Sequence, residues 1–387
     1  MQKRISVGER YIGVMSGTSM DGIDVALCKV DAYRCIPEVS GEYPYPEALK
    51  ARIMKMIEGA ATLQEIGEVD HMLGLEFAAA INDFIAKQSI DKKSIKAIGL
   101  HGQTIWHSPK AEYPFSMQAG DPNIVNAKCG IPVVADFRRK DMACGGQGAP
   151  FAPAFHAFLF GKLNQKAAVV NIGGMANITI LDKKLIGYDT GCGNVLMDLW
   201  TAKYQKNPYD KGGAWAKTGN VNYPLLNRML SDDYFKQNPP KSTGREKFNE
   251  SWLTEMLLRH YESDPNFITQ KNDTKNLVFE YLNDNESLQA DIQRTLLEFT
   301  AVSIANEVLK FRRDKVLVCG GGAKNSFLIE RIKVMLPDIE ISILPQGDIL
   351  EAMMMAWLAY KRMHDEPIGL KEVTGALRNA VCGGVYA

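Results

Sequence analysis

Residues 12–24 read Ile12-Gly13-Val14-Met15-Ser16-Gly17-Thr18-Ser19-Met20-Asp21-Gly22-Ile23-Asp24. The apolar run from Tyr11 to Met15 predicts a buried strand, and Ile23, Val25 and Leu27 alternate into a second one. Ser16, Gly17, Thr18 and Ser19 form a tight, hydroxyl-rich turn between them. A hairpin tip built of small residues lets the backbone N–H groups approach an anion closely, which suits phosphate oxygens. An ordinary hairpin turn accounts for the same residues, so the rest of the chain has to decide.

The pattern recurs about half a chain later. Ala167 to Ile172 predicts a strand, Gly173-Gly174-Met175-Ala176-Asn177 a turn, and Ile178 to Leu181 a strand. A third strand, Leu185 to Tyr188, ends at Asp189-Thr190-Gly191-Cys192-Gly193-Asn194, with a helix from about Val195. Two strand–glycine turn–strand units suggest a duplicated α/β fold, each copy presenting its turn to a shared cleft.

Other apolar strands also end in polar, glycine-containing turns, the places where open α/β sheets put ligand contacts. Ile95–Leu100 runs into His101-Gly102-Gln103-Thr104. Ile131–Ala135 runs into Asp136-Phe137-Arg138-Arg139 and then Gly145-Gly146-Gln147-Gly148-Ala149-Pro150. Val316–Cys319 runs into Gly320-Gly321-Gly322, where a flat ring can lie against the backbone. Arg138 and Arg139 offer a fork for a carboxylate or phosphate. His101 and His107 lack a third ligand nearby, so a hydrogen-bonding loop pair is expected there rather than a metal site. Helical spacing marks Ala48–Ile57, Leu63–Lys87, Asp291–Phe311 and Leu350–Met363, while residues 208–249 read as loop-rich.

The 387 residues suggest two domains. Apolar and charged fractions of 46% and 23% are those of a soluble globular protein. A net charge of zero gives no electrostatic case for nucleic acid or an anionic membrane. Seven cysteines without a C-x-x-C pattern read as reduced thiols, not a zinc site or disulfide frame. No signal core and no stretch of membrane-spanning length is seen, so a cytoplasmic protein is expected.

In their order these segments resemble the anhydro-N-acetylmuramic acid kinase family. The resemblance rests on Gly13-Val14-Met15-Ser16-Gly17-Thr18-Ser19-Met20-Asp21-Gly22, His101-Gly102-Gln103-Thr104 and Asp136-Phe137-Arg138-Arg139. It continues through Gly145 to Pro150, Asn171-Ile172-Gly173-Gly174 and Asp189-Thr190-Gly191. Lys241-Ser242-Thr243-Gly244-Arg245-Glu246 and Cys319-Gly320-Gly321-Gly322 complete it. It implies a two-lobed, actin-like or hexokinase-like ATPase fold, of the duplicated ribonuclease H-like kind, around a central cleft. The lobes are expected at 1–130 and 131–365, with 366–387 packing back on the first.

The implied activity is a kinase of peptidoglycan recycling. It opens 1,6-anhydro-N-acetylmuramate and phosphorylates O6, with ATP and Mg2+ as cofactors. ATP and the sugar are the implied partners, and a homodimer is compatible with the resemblance. By the same likeness Asp189 is the base, and Gly17, Thr18, Ser19, Met20, Asp21, Gly22, Ile23 and Asp24 hold the β- and γ-phosphates. Gly173 and Gly174 form the second phosphate turn, and Gly320, Gly321 and Gly322 flank the adenosine. His101, Gln103, Arg138 and Glu351 are sugar-binding candidates. Met15 stands where the wider superfamily has Asp, which moves the magnesium role to Asp21 or Asp24. Cys192 replaces the family's usual Pro, which changes backbone rigidity but leaves the carboxylate of Asp189. The alternatives are a kinase of an open sugar, with Asp189 deprotonating a hydroxyl, and an actin- or chaperone-like ATPase switch.

Overall fold

A computed structural model describes residues 8–17, 22–161, 166–182, 184–239, 241–261 and 274–387, the side chains of 274–277 excepted. The chain forms two compact units. Met1–Leu163 with Ile349–Ala387 make the first, and Asn164–Asp348 the second.

In the first unit β1 (Glu9–Ser16), β2 (Ile23–Val30) and β3 (Cys35–Tyr43) form an antiparallel meander. β4 (Ile95–Leu100) lies parallel to β1 on its other side. β5 (Gln103–Ser108) and β6 (Phe115–Ala119) make a separate two-stranded hairpin, and β7 (Val133–Ala135) lies parallel to β4. Ile12, Val14, Ile23 and Val25 are fully buried, as their apolar alternation predicts. The helix Leu63–Lys87 buries Val69, Leu73, Phe77, Ile81 and Phe84, one stripe at intervals of three and four. Each such side chain contributes about 1.5–3 kcal/mol by leaving water. Thr62 and Glu65 cap its start reciprocally, so the register of the stripe is fixed from the first turn.

The second unit repeats that plan. β8 (Ala167–Ile172), β9 (Met175–Leu181) and β10 (Ile186–Cys192) form an antiparallel meander. β11 (Lys315–Cys319) is parallel to β8, and β12 (Glu340–Ile343) is parallel to β11. The strand orders β3-β2-β1-β4-β7 and β10-β9-β8-β11-β12 match, with the same directions. This is the duplicated α/β fold expected from the recurring hairpin.

The central helix of this unit starts at Glu286 rather than Asp291 and ends at Leu309. Its first turns bury Gln289, Gln293 and Arg294, which hides the apolar period there. Each makes a polar contact: Gln289 donates to Leu282 O at 2.7 Å, Gln293 Nε2 to Thr201 Oγ1 at 3.1 Å and Arg294 to Glu298 at 2.6 Å, while Gln293 Oε1 has no partner among the described residues. Within the stretch read as loop, Asn222 and Asp232 cap two short helices, Tyr223–Leu230 and Asp233–Lys236. Side-chain caps of this kind start a helix without a long apolar pattern.

After the second unit the helix Leu350–Met363 packs on β1, β2 and β4. Gly13 and Gly99 make this approach possible. A Cβ on Gly13 would stand 1.8 Å from Ala352 O, and one on Gly99 2.0 Å from Met355 O. The last strand, β13 (Gly384–Tyr386), pairs antiparallel with β7. The sequence reading places the divisions at 130/131 and 365/366, whereas the compact units divide at 163/164 and 348/349. The β4–β7 pairing and the two glycine contacts tie β7 and the helix Leu350–Met363 to the first sheet.

All seven cysteines are buried and none forms a disulfide. Among the described residues no helix is long and apolar enough to cross a membrane.

Candidate active site

Asp189 sits in β10 at a break in register. The pairing with β9 shifts between Asp189 and Gly191, a bulge that re-aims the local side chains. Gly191 takes φ +147°, and a Cβ there would meet the Phe235 ring at 2.8 Å. The carboxylate Oδ2 accepts from Ser242 Oγ and from the Thr243 N–H, each at 3.0 Å. Among the described residues no hydrogen bond is made to Oδ1. Burial pushes the Asp189 carboxyl up to about 6, helped by the charge of Glu246 and opposed by the Thr243 and Ser242 hydrogen bonds. A carboxyl poised there is ionised at neutral pH and still basic enough to take a proton from water. Thr243 Oγ1 is buried and makes no hydrogen bond to the described protein, so it keeps capacity for a water or ligand.

Three glycine turns meet at the end of the same sheet. Gly173 and Gly174 link β8 to β9, and their carbonyls accept from Asn194 N–H at 2.8 Å and Gly193 N–H at 2.9 Å. A Cβ on Gly193 would lie 2.2 Å from Gly173 O. Gly320, following β11, takes φ +81°, and a Cβ there would meet Asn171 Oδ1 at 2.3 Å. Gly193 and Gly320 are required by close packing within the protein. Gly174 and Gly321 differ: a Cβ would meet nothing within 4 Å at Gly174, and at Gly321 only Asn194 Nδ2 at 3.9 Å. Their open faces are the surface a ligand can approach. An open pocket of about 710 Å3 adjoins this turn, lined by Ala323, Lys324, Ser326, Ile329, Glu330 and Ile343 among others.

In the first unit the ends of β4 and β7 bring His101 and Arg138 together. Arg138 Nη2 donates to His101 Nε2 at 2.9 Å, while Nδ1–H donates to Gly102 O at 2.7 Å. These bonds select the neutral Nδ1–H tautomer. Burial and the Arg138 charge hold His101 down at about 3, and burial lowers Arg138 to about 10, a shift that the Glu351 charge opposes. Arg138 therefore stays a cation at neutral pH. Glu351 opens the helix Leu350–Met363 and keeps exposed surface. The dense protein around it raises its carboxyl, and Arg138 partly offsets this. Asp136 adopts φ +58° just after β7, faces Arg139 at 3.4 Å, and joins His101 around a polar pocket of about 240 Å3.

The expected residues thus fall into separate groups. His101, Arg138 and Glu351 form one cluster. Gln103 does not join it: fully buried, its Oε1 accepts from Ser16 Oγ at 2.6 Å and its amide reaches Gly17 O at 3.4 Å. It braces the end of β1. Ile23 is fully buried in the core, so its side chain has no ligand-facing role. Asp24 and Gly22 are half-buried at the start of β2. Thr18, Ser19, Met20 and Asp21 lie outside the described residues. His107 bonds Ser116 Oγ at 3.0 Å, and among the described residues no His, Cys, Asp and Glu side chains gather into a metal-binding group. Sequence reading missed Ser242, Thr243 and Tyr234 as partners of Asp189; the polar Lys241–Glu246 segment was the available signal.

The family model for anhydro-N-acetylmuramic acid kinase matches residues 9–387. A protein curated under that name from Sulfurovum sp. (strain NBC37-1) is 56% identical, covering 98% of this chain and 99% of its own. One from Sulfurimonas denitrificans is 48% identical, over 98% and 100%. One from Vibrio vulnificus (strain CMCP6) is 44% identical, over 99% and 100%. Among solved structures, a ROK family glucokinase from Streptomyces griseus in complex with glucose and AMPPNP aligns over 91% of this chain and 99% of its own. Its identity is 14% and its TM-score 0.39.

Proposed function

This chain belongs to the anhydro-N-acetylmuramic acid kinase family, and from that premise we propose how its own residues carry the reaction. It is a kinase of 1,6-anhydro-N-acetylmuramate in peptidoglycan recycling, with ATP as donor and the cytoplasm as its setting. The product is N-acetylmuramate 6-phosphate plus ADP.

The observation that carries the mechanism is the state of Asp189. Ordinary glycoside cleavage needs one carboxyl to protonate the departing oxygen and a second to activate water or attack. In an anhydro sugar the departing oxygen is O6, and the γ-phosphoryl group captures it, so one carboxylate suffices. Asp189 Oδ1 takes a proton from the water that attacks the anomeric carbon. The C1–O6 electron pair passes to O6, O6 bonds the γ-phosphorus, and the bond to ADP breaks. Ser242 and the Thr243 N–H hold Oδ2, which leaves Oδ1 for the water.

Gly17 and the residues after it, with Gly173 and Gly174, are assigned to the phosphates, and Gly320–Gly322 to the adenosine. The uncrowded face of Gly321 and the adjoining pocket support that assignment. Arg138, held by His101, is assigned to the lactyl carboxylate, and Glu351 to sugar hydroxyls. A phosphate-bound Mg2+ needs one or two carboxylates rather than a cage. Asp24, and Asp21 outside the described residues, are those this chain would offer. Held there, the ion would neutralise charge on the phosphate oxygens.

The test is direct. The protein is incubated with ATP, Mg2+ and anhydro-N-acetylmuramate in 18O-water, with prompt quenching. Label on C1 and none in the phosphate is expected. Phosphate carrying the label, or an intact anhydro ring in the product, overturns the mechanism.

A further inference from the structure

Behind Asp189 lies a buried charge pair that the reaction does not touch. Lys241 Nζ, with a fully buried side chain, contacts Glu307 Oε1 at 2.7 Å on the helix Glu286–Leu309. Its ammonium also stands 4.8 Å from the centre of the Tyr234 ring. Glu307 Oε2 accepts from Tyr188 Oη at 2.9 Å and from Lys310 at 2.7 Å. Burying an ammonium is costly unless it is paired, and breaking such a pair is strongly unfavourable. The position of residue 241 is therefore fixed relative to the helix.

That fixed residue begins the loop that grips Asp189. The Asp189 N–H donates to Lys241 O at 3.2 Å. The next two residues supply both donors to Oδ2. Tyr234, which lies against the ammonium, donates its hydroxyl to Asp189 O at 2.6 Å. Backbone N–H, backbone carbonyl and carboxylate of Asp189 are thus all held by Lys241, its neighbours in sequence, or a ring it contacts.

We propose that Lys241, through its buried pair with Glu307, is a positioning residue that holds Ser242 and Thr243 on Oδ2 of Asp189 and so presents Oδ1 to the attacking water. This rests on Asp189 being the base. Loosening the anchor has a definite electrostatic sign. The two hydrogen bonds favour the carboxylate, so weakening them raises the pH at which it ionises. The other charged or titratable groups around Asp189 are Glu246 on the same loop, Tyr188 and Cys192 on β10, and Tyr234. Asp232 lies near Cys192, and Glu307 and Lys310 project from the helix. None of them donates a hydrogen bond to the carboxylate itself.

The experiment compares Lys241→Met, the charge-neutral double variant Lys241→Met/Glu307→Gln, and Ser242→Ala. The double variant removes the pair without leaving a buried charge unpaired, since Lys310, which also loses Glu307, is itself 45% exposed, so it remains informative if Lys241→Met does not fold. Each folded variant is assayed with Mg-ATP and the anhydro sugar for kcat, both KM values and the pH dependence of kcat. We expect kcat to fall about 10- to 100-fold from misplacement of the base. ATP KM stays within about threefold, and the acidic limb of kcat moves to higher pH in all three variants. A folded double variant whose limb stays at the parent's pH overturns the proposal, whatever its rate. Asp189→Asn run beside them separates the two readings. If it loses turnover while the limb of the Lys241 variants stays put, only the positioning role falls. If it retains turnover, the base assignment falls and takes the positioning role with it.

Discussion

Arg138 and His101, two basic side chains, meet at 2.9 Å with the guanidinium donating to Nε2. The contact is stable because His101 spends its proton on Gly102 O and offers Arg138 a lone pair. His101 should therefore not titrate between pH 5 and 8; a folded His101 ionising near 6.5 in NMR titration would contradict this. Its folded-state value lies below the unfolded one, so it contributes stability that is present above pH 6.5 and lost as pH falls toward 3.

Arg138→Lys removes the planar fork but keeps the charge. A charge-assisted hydrogen bond contributes roughly 1.5–3 kcal/mol, so sugar KM should rise about 10- to 100-fold while ATP KM holds. Steady-state kinetics with each substrate varied reads the split. Equal changes in both KM values would remove Arg138 from sugar recognition.

Gly321→Val separates a structural turn from a nucleotide surface. A side chain at 321 meets no protein atom closer than 3.9 Å at its Cβ, so the fold should tolerate it. If adenosine lies on that backbone, calorimetry will show at least a tenfold loss of nucleotide affinity in a protein of near-parental melting temperature. Unchanged affinity would move the adenosine elsewhere.

Gly99→Ala should act in the opposite way. Its Cβ would press on Met355 O at 2.0 Å, a backbone atom that can yield only if the helix Leu350–Met363 shifts with it. Overpacking of this kind costs about 1–3 kcal/mol. A lower urea midpoint is expected, with a raised sugar KM because Glu351 rides on the displaced helix. A midpoint equal to the parent's would show that the helix approach is not tight.

The duplicated sheets were legible because each begins with an apolar strand, a glycine turn and a second apolar strand, a period-2 signal confined to few residues. Asp189 was legible as a polar residue following an apolar strand, although the strand expected to end at Tyr188 runs on to Cys192 and holds Asp189 at a bulge inside it. What was not legible came from contacts distant in sequence. Nothing near Gly13 or Gly99 announces that Ala352 and Met355 will rest on them, so the helix carrying Glu351 could not be assigned to the first sheet by pattern. Gln103 reads as a polar turn residue, and only the fold reveals that Ser16 and Gly17 consume its amide. The front of the helix Glu286–Leu309 was hidden because Gln289, Gln293 and Arg294 are buried through hydrogen bonds and ion pairing rather than by apolarity.

Asp189 also leaves a mark on stability. Its folded-state value of about 6 lies above the unfolded carboxyl value of 3.8. Folding thus favours the protonated form, and stability falls as pH rises from 3.8 through about 6. Asp189→Asn removes this penalty, while the amide oxygen still accepts from Ser242 and Thr243. A shift of about two pKa units is worth at most about 3 kcal/mol, and less for a half-buried group. Thermal melts should show the variant more stable than the parent at pH 8 and level with it near pH 4. A variant less stable than the parent at pH 8 would contradict the unfavourable burial of the charge.

The turnover of that same Asp189→Asn variant, at saturating ATP and sugar near pH 7.5, tests the account most directly. General-base catalysis contributes about 100- to 10,000-fold, so a loss of that size is predicted, with nucleotide affinity unchanged and the fold intact. Turnover within a few-fold of the parent would contradict it and return the search for the base to Glu351 and Asp136.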